Sequence, residues 1–141
     1  MPLTVLLSLV LNLLQIEQSG NFWHVLAEVQ FVKSKDANGY EIEKPVFSKH
    51  LRSYQGKKIT LKGYLIPMSE VNGKASYMLS SLPFNVCYFC GAAGPETVVE
   101  LDTKETIKFT TKQIAIEGIL SLNEHDIDHH IYIIKSLRLL P

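Results

Sequence analysis

The chain has 141 residues, of which 46% are hydrophobic and 20% are charged, a balance that excludes a mainly disordered protein. Its 14 basic residues match its 14 acidic ones, so it lacks the basic excess with which nucleic-acid-binding proteins neutralise phosphate, and no nucleic acid partner is expected. Two cysteines are too few for a disulfide scaffold, so an apolar core must hold the fold.

The amino terminus carries an uncharged run of Leu and Val from Leu3 to Leu14, typical of the apolar core of a secretory signal. As a helix this run would span ~18 Å, short of the ~30 Å hydrocarbon layer of a membrane. We therefore predict that residues 1–20 are a signal peptide or signal-anchor, with a buried helix as the alternative. No basic residue precedes the run and no A-x-A site follows it, which leaves cleavage open.

The next segments predict a short helical or extended start to the folded domain. Residues 22–32 are expected to form a strand or a helical turn that runs into one. Asn38-Gly39 is typical of a hairpin turn. Ser48 can cap a short helix through Tyr54, which Gly56 then ends.

The remaining chain predicts a small β-barrel. Gly63 and Gly118 each interrupt an apolar strand, as a bend or bulge in a strongly coiled sheet requires. A turn is expected at Asn72-Gly73. About five main strands with short turns favour a mainly β, OB-like five-stranded barrel over residues 21–141 as one domain, with a β-sandwich as the alternative. The strand-like runs lie at 58–67, 75–80, 97–101, 106–109, 113–120 and 131–139.

A C-x-x-C motif, Cys87-Tyr-Phe-Cys90, lies in an irregular stretch and is the most chemically specific feature of the sequence. The two-residue spacing lets both thiolates face one ion, and zinc or copper(I) accepts such ligands. A full zinc site needs two more ligands, and we expect Glu96 and His129 to supply them. His130 is the alternative, because only one of two adjacent residues in a strand can face inward. The alternatives are a disulfide that braces the loop, a thiol-exchange site or two inert buried thiols.

Four segments resemble an uncharacterised family of small exported bacterial proteins, seen especially in Bacteroidetes-type bacteria. They are Phe22-Trp23, the G-x-x-[IV]-x-[LI]-x-G-Y-x-[IVL]-P strand at 56–67, the C-[YF]-F-C-G-x-x-G-P-E-T loop at 87–97 and the D-I-x-H segment at 126–129. The resemblance covers nearly all of residues 21–141 and implies an OB-like fold and export, without an activity. A more distant similarity to a domain of unknown function with a Cys-x-His loop implies metal ligands.

These features predict an exported, non-enzymatic module in the periplasm or another extracytoplasmic compartment. No catalytic triad spacing, phosphate loop or carboxylate pair is visible, so no enzyme is predicted. The module is expected to bind a zinc or copper ion through Cys87 and Cys90, with a link to transport or envelope homeostasis. The alternatives are a module that recognises an envelope protein or transporter, with a disulfide brace, and a thiol–disulfide redox protein. Membrane contact is expected only through the leader, if it is uncleaved.

Overall fold

The computed structural model describes residues 22–71 and 74–141, with the side chains at these positions except 69–71, 74 and 90. The predicted leader and the predicted turn at Asn72-Gly73 lie outside the described residues. The described chain begins with α1 (Trp23–Leu26), the hairpin of β1 (Gln30–Lys35) and β2 (Glu41–Val46), and α2 (Lys49–Arg52). The barrel strands follow: β3 (Lys58–Val71), β4 (Lys74–Ser80), β5 (Val98–Leu101), β6 (Ile114–Leu122) and β7 (Tyr132–Leu139).

The five later strands close into a barrel in the order β3-β4-β5-β7-β6. Every neighbouring pair is antiparallel except β5 and β7, which run parallel. This arrangement is that of a five-stranded OB-like Greek-key barrel. The predicted mainly β, OB-like fold is therefore confirmed, with an added N-terminal hairpin and two short helices.

Alternation along the strands sends apolar side chains into the barrel because neighbouring residues of a strand point to opposite faces. At one end the interior is closed by residues of the N-terminal region, among them Leu26, Phe47 and Leu51, all buried. The hydroxyl of Tyr132, on β7, donates a hydrogen bond to the carbonyl of Leu26 at 2.6 Å. The buried interior set from the barrel strands is Ile59, Leu61, Leu65, Tyr77, Leu79, Val99, Leu101, Ile116, Leu120, Tyr132 and Ile134.

The two glycines that interrupt the strands lie where another backbone comes too close for a side chain. A Cβ at Gly63 would overlap the carbonyl oxygen of Ser80 on the paired strand. A Cβ at Gly118 would lie 2.9 Å from the carbonyl oxygen of Lys135, at the register shift between β6 and β7. Both glycines thus permit the strong coiling that closes a small barrel.

The connection between β5 and β6 differs from the expectation. Residues 106–109, predicted as a short strand, are irregular in the structure, so that prediction was wrong. Ile107 is buried in the core, and its N–H donates to the Tyr77 hydroxyl at 3.1 Å instead of to a neighbouring strand. The segment therefore closes the far end of the barrel as a plug.

The helix predicted to begin after Ser48 is confirmed, although it ends at Arg52 and not at Tyr54. The Ser48 hydroxyl caps it by accepting the N–H of Leu51 at 3.0 Å. Among the described residues, no helix is both long and apolar enough to cross a membrane.

Candidate functional site

The strand directions bring four segments to one end of the barrel, which we call the cap end. They are α1, α2, the cysteine loop (residues 81–97) and the β6–β7 turn (residues 123–131). The base of α2 is tied to the end of β6, because Leu122 N donates to the side-chain oxygen of Gln55 at 2.6 Å and Arg52 pairs with Glu124. The sequence-predicted site residues all lie in or next to these segments.

The cysteine loop consists of three short 3₁₀ turns, Phe84–Val86, Tyr88–Cys90 and Pro95–Thr97. Its base is closed by a hydrogen bond of 2.9 Å from Ser81 N to the carbonyl of Thr97. Gly91 ends the second turn with a φ of 74°, a left-handed conformation that glycine adopts without strain. The loop is thus a folded structure with its own hydrogen bonds and not an open excursion.

Cys87 points inward from the junction of the first two turns and is fully buried. Its side chain packs on the outer face of the barrel, against Ile66 of β3, Met78 of β4 and Val98 of β5, with half-buried Met68 beside them. The Cys90 side chain lies outside the described residues, so the relation between the two sulfur atoms stays a prediction. Cys87 itself anchors the loop to the sheet through apolar packing.

The two adjacent histidines lie in the β6–β7 turn and not in a strand, and they make different contacts. His130 is the one that faces the cysteine loop: its Nε2 donates to the carbonyl of Pro95 at 2.8 Å, and its ring lies 6.1 Å from that of Tyr88. His129, named as a ligand in the sequence prediction, is half-exposed and lies 2.7 Å from Glu100. The structure therefore places His130 beside the cysteine loop and pairs His129 with Glu100, while the role of either histidine as a ligand stays a prediction.

Glu100 was not singled out from the sequence, yet it holds both histidines of the β6–β7 turn, which we call the histidine turn. It lies on the outer face of β5, where one carboxylate oxygen meets His129 Nδ1 and the other accepts the N–H of His130 at 2.8 Å. The hydrogen bond to Glu100, and then its charge, raises the pKa of His129. Burial lowers the pKa of His130, although its bond to the Pro95 carbonyl opposes this.

Glu96 lies in the third turn of the loop, where its carboxylate covers Gly94. This turn packs beside α1. Burial raises the pKa of the Tyr132 hydroxyl, and the nearby charges of Glu96 and Glu28 raise it further. Glu96 thus contributes its charge to the region between the loop, α1 and the barrel end.

The predicted ligands therefore make separate contacts in the described structure. Cys87 is enclosed by apolar side chains, His129 pairs with Glu100 and Glu96 folds over Gly94. Among the described side chains, which do not include that of Cys90, no three His, Cys, Asp or Glu residues are grouped to hold a metal ion. Zinc or copper binding stays a prediction.

The outward side of the cysteine loop presents large apolar side chains to solvent. Phe84 is 68% exposed and Phe89 is 41% exposed, and Val86 and Tyr88 are exposed between them. The sequence analysis did not predict this surface. The sequence does contain a sign of this surface, because an irregular loop with so little charge is unusual: Glu96 is the only charged residue in positions 81–97.

A polar cleft of about 350 Å³ lies on the other side of the histidine turn. It is lined by Glu100, Asp102, Asp126, His129 and Lys135, among others. Its character is the opposite of that of the loop surface, so the cap end carries two chemically distinct faces.

Comparisons of the chain with protein-family models, with curated proteins and with solved structures found no match.

Proposed function

We propose that this chain is an exported, non-enzymatic docking module whose recognition surface is the outward side of the cysteine loop. The observation that carries the proposal is the exposure of Phe84, Val86, Tyr88 and Phe89 on one loop. Soluble proteins rarely leave a contiguous group of large apolar side chains in water unless the group meets a partner or a membrane. Aromatic side chains also contribute most per residue when such surfaces are buried.

The loop is held in place before any partner arrives, which favours recognition. Cys87 fixes its centre to the outer face of β3, β4 and β5. His130 fixes its third turn through the bond to Pro95. Because folding already orders this backbone, association does not have to supply that conformational entropy.

The two cysteines have a structural role in this proposal. Cys87 is the buried anchor, and a bond from it to Cys90 would brace the loop in an oxidising compartment, as the disulfide alternative expects. Export is supported by the apolar run from Leu3 to Leu14 and by the resemblance to small exported proteins. Neither histidine nor any carboxylate of the loop is assigned a catalytic step.

Site-specific photocrosslinking tests the docking surface. The photoreactive residue p-benzoylphenylalanine would replace Phe89 in the full chain, with Phe109 as the matched control at the far end of the barrel, where it is 61% exposed. After irradiation of the bacterial envelope, we expect adducts with another molecule from position 89 and not from position 109. Equal adduct formation at the two positions, or none at position 89, would contradict the proposal.

Copper(I) binding is a second candidate, supported by the sulfur atoms around Cys87. The side chains of Met68 and Met78 belong to the same packed cluster as Cys87, and copper(I) prefers soft thiolate and thioether ligands, whereas zinc sites are usually built from Cys, His and carboxylate side chains. The ligand set would comprise Cys87 and Met78, with Met68 or Cys90 completing it. The metal would have a structural, sensing or handover role.

A conservative substitution separates packing from ligation. Met78→Leu keeps the apolar volume and costs under about 1.5 kcal/mol of stability, yet it removes a soft ligand. If the cluster binds copper(I), both Met78→Leu and Cys87→Ser weaken copper(I) retention against a competing chelator. If Met78→Leu retains copper(I) as well as the wild type does, the Met78 thioether is not a ligand. If the wild-type protein is metal-free after copper(I) loading, the copper(I)-binding hypothesis is wrong.

A further inference from the structure

We propose that the occupant of the cysteine-loop surface is the lipid interface of a membrane, into which the loop inserts its aromatic side chains. Because the loop must first be a docking surface, this membrane role rests on the proposed function. It adds a second contact to the one that the sequence predicts through the leader. The chemistry, the location and the rigidity of the loop each favour a lipid surface.

The composition of the loop suits the boundary between water and hydrocarbon. Phe84, Tyr88 and Phe89 are all exposed, and the rings of Tyr88 and Phe89 lie 5.3 Å apart. Interfacial positions of membranes favour aromatic rings. Within positions 81–97 there is no basic residue or Asp, and the single Glu folds back over Gly94. Insertion therefore removes little charge from water, the step that would otherwise oppose it.

The loop lies close to the point at which the described chain begins. The described chain begins at Phe22, directly before α1, and α1 packs beside the Pro95–Thr97 turn of the loop. Only seven residues, 15–21, separate Phe22 from the apolar run at Leu3–Leu14, and seven extended residues reach at most about 25 Å. If that run lies in a membrane, the cap end is held at its surface.

The opposite end of the barrel is held away from that surface. The cysteine loop precedes the N-terminal end of β5. Phe109 lies in the connection between β5 and β6, which follows the opposite end of that strand. It is exposed and aromatic, as Phe84 and Phe89 are, but it stands among Lys108 and Lys112. The chain therefore contains its own control for exposure alone.

The folded state of the loop allows insertion without unfolding. The three 3₁₀ turns satisfy part of their backbone within the loop, including the bonds from Val86 N to the Pro83 carbonyl and from Gly91 N to the Tyr88 carbonyl. Backbone polar groups that are already paired lower the cost of entering an apolar environment. The anchor at Cys87 lies on the barrel side and stays out of the lipid.

Fluorine NMR of the full chain in phosphatidylcholine vesicles tests the inference. A single trifluoromethyl-phenylalanine would be placed at position 89 or, as the control, at position 109. Relaxation would be measured with a nitroxide attached to lipid and with a soluble gadolinium chelate. We expect the probe at 89 to respond to the lipid nitroxide and to be shielded from the chelate, and the probe at 109 to show the reverse.

A second variant reduces the exposed aromatic surface of the loop and leaves the buried Cys87 unchanged. Phe84→Ser in the chain labelled at position 89 should reduce the nitroxide effect and increase access of the chelate, because the most exposed of the three aromatic side chains is gone. Chelate access at 89 equal to that at 109 would overturn the membrane inference. If photocrosslinking at 89 nevertheless yields protein adducts, the docking surface stands and its partner is a protein; if it yields none, the proposed function fails as well.

Discussion

Replacement of Gly63 by alanine tests whether close strand approach closes the barrel. The added Cβ would overlap the Ser80 carbonyl oxygen and lie 3.1 Å from the Ser80 carbonyl carbon and 3.2 Å from Leu79 Cγ. The obstacle is the backbone of a paired strand, so it cannot be relieved by a rotamer change. Overpacking of this kind costs about 1–3 kcal/mol, occasionally more, and the loss of a flexible glycine from the unfolded chain returns about 0.4–1 kcal/mol.

Because the obstacle is backbone, we take the upper end of the overpacking cost, about 3 kcal/mol, and after the returned ~0.4–1 kcal/mol we expect Gly63→Ala to lower the free energy of unfolding by about 2–2.6 kcal/mol. For a domain of this size that corresponds to a fall of roughly 6–13 °C in Tm. Thermal and urea unfolding, followed by circular dichroism, measures both quantities. The barrel should remain folded at low temperature, because the clash is local.

Gly94→Ala is the matched control, since an added Cβ there meets only the carboxylate of Glu96. A carboxylate at the end of a flexible side chain can turn away, and the backbone at Gly94 is extended, with a φ of −79°. The control should stay within about 1 kcal/mol of the wild type. Equal destabilisation of the two variants, or a stable Gly63→Ala protein, would refute the close packing of β3 on β4.

Three further substitutions probe other contacts. Tyr132→Phe should lower stability by about 0.5–1.5 kcal/mol, because the Leu26 carbonyl loses its 2.6 Å hydrogen bond and keeps only the 3.5 Å one from Val29 N; an unchanged urea midpoint would contradict this. The raised pKa of His129 means that its pairing with Glu100 stabilises the fold below about pH 6.5 and is lost as pH rises through the folded-state pKa. His129→Gln should therefore destabilise more at pH 5.5 than at pH 8.5, and a deficit independent of pH would count against the pairing. Ser136→Gly should raise stability by up to about 1 kcal/mol, because Ser136 has a φ of 50°; a clear loss in thermal unfolding would argue against strain there.

The fold was predictable where the periodicity of apolar side chains and the positions of glycine indicated the same strands. Alternating apolar residues gave the barrel strands, and the glycines at 63 and 118 were correctly interpreted as points of close approach or bending. The pattern failed at residues 106–109, because the apolar side chain of Ile107 fills the end of the barrel while its backbone bonds to the Tyr77 hydroxyl and not to a strand. Periodicity over four residues cannot separate these two reasons for burial.

The site was less predictable, because an irregular loop has no fixed side-chain period. The motif drew attention to Cys87, but nothing in the sequence states that its side chain faces the barrel while Phe84 and Phe89 face solvent. The expectation for the adjacent histidines assumed a strand, but both lie in the turn before β7, and only the structure shows that His130 contacts the loop. Glu100 could be identified only from the structure, because its role depends on β5 lying beside the histidine turn.

Hydroxyl-radical footprinting of the wild-type full chain in envelope membranes tests most directly whether the cysteine-loop surface is covered. Phe84 and Phe109 are the same residue type with nearly equal exposure, 68% and 61%, so they should be oxidised at similar rates if both face water. We predict that Phe84 and Phe89 are protected while Phe109 is oxidised freely. Oxidation of Phe84 at the rate of Phe109 would contradict the docking role of the loop.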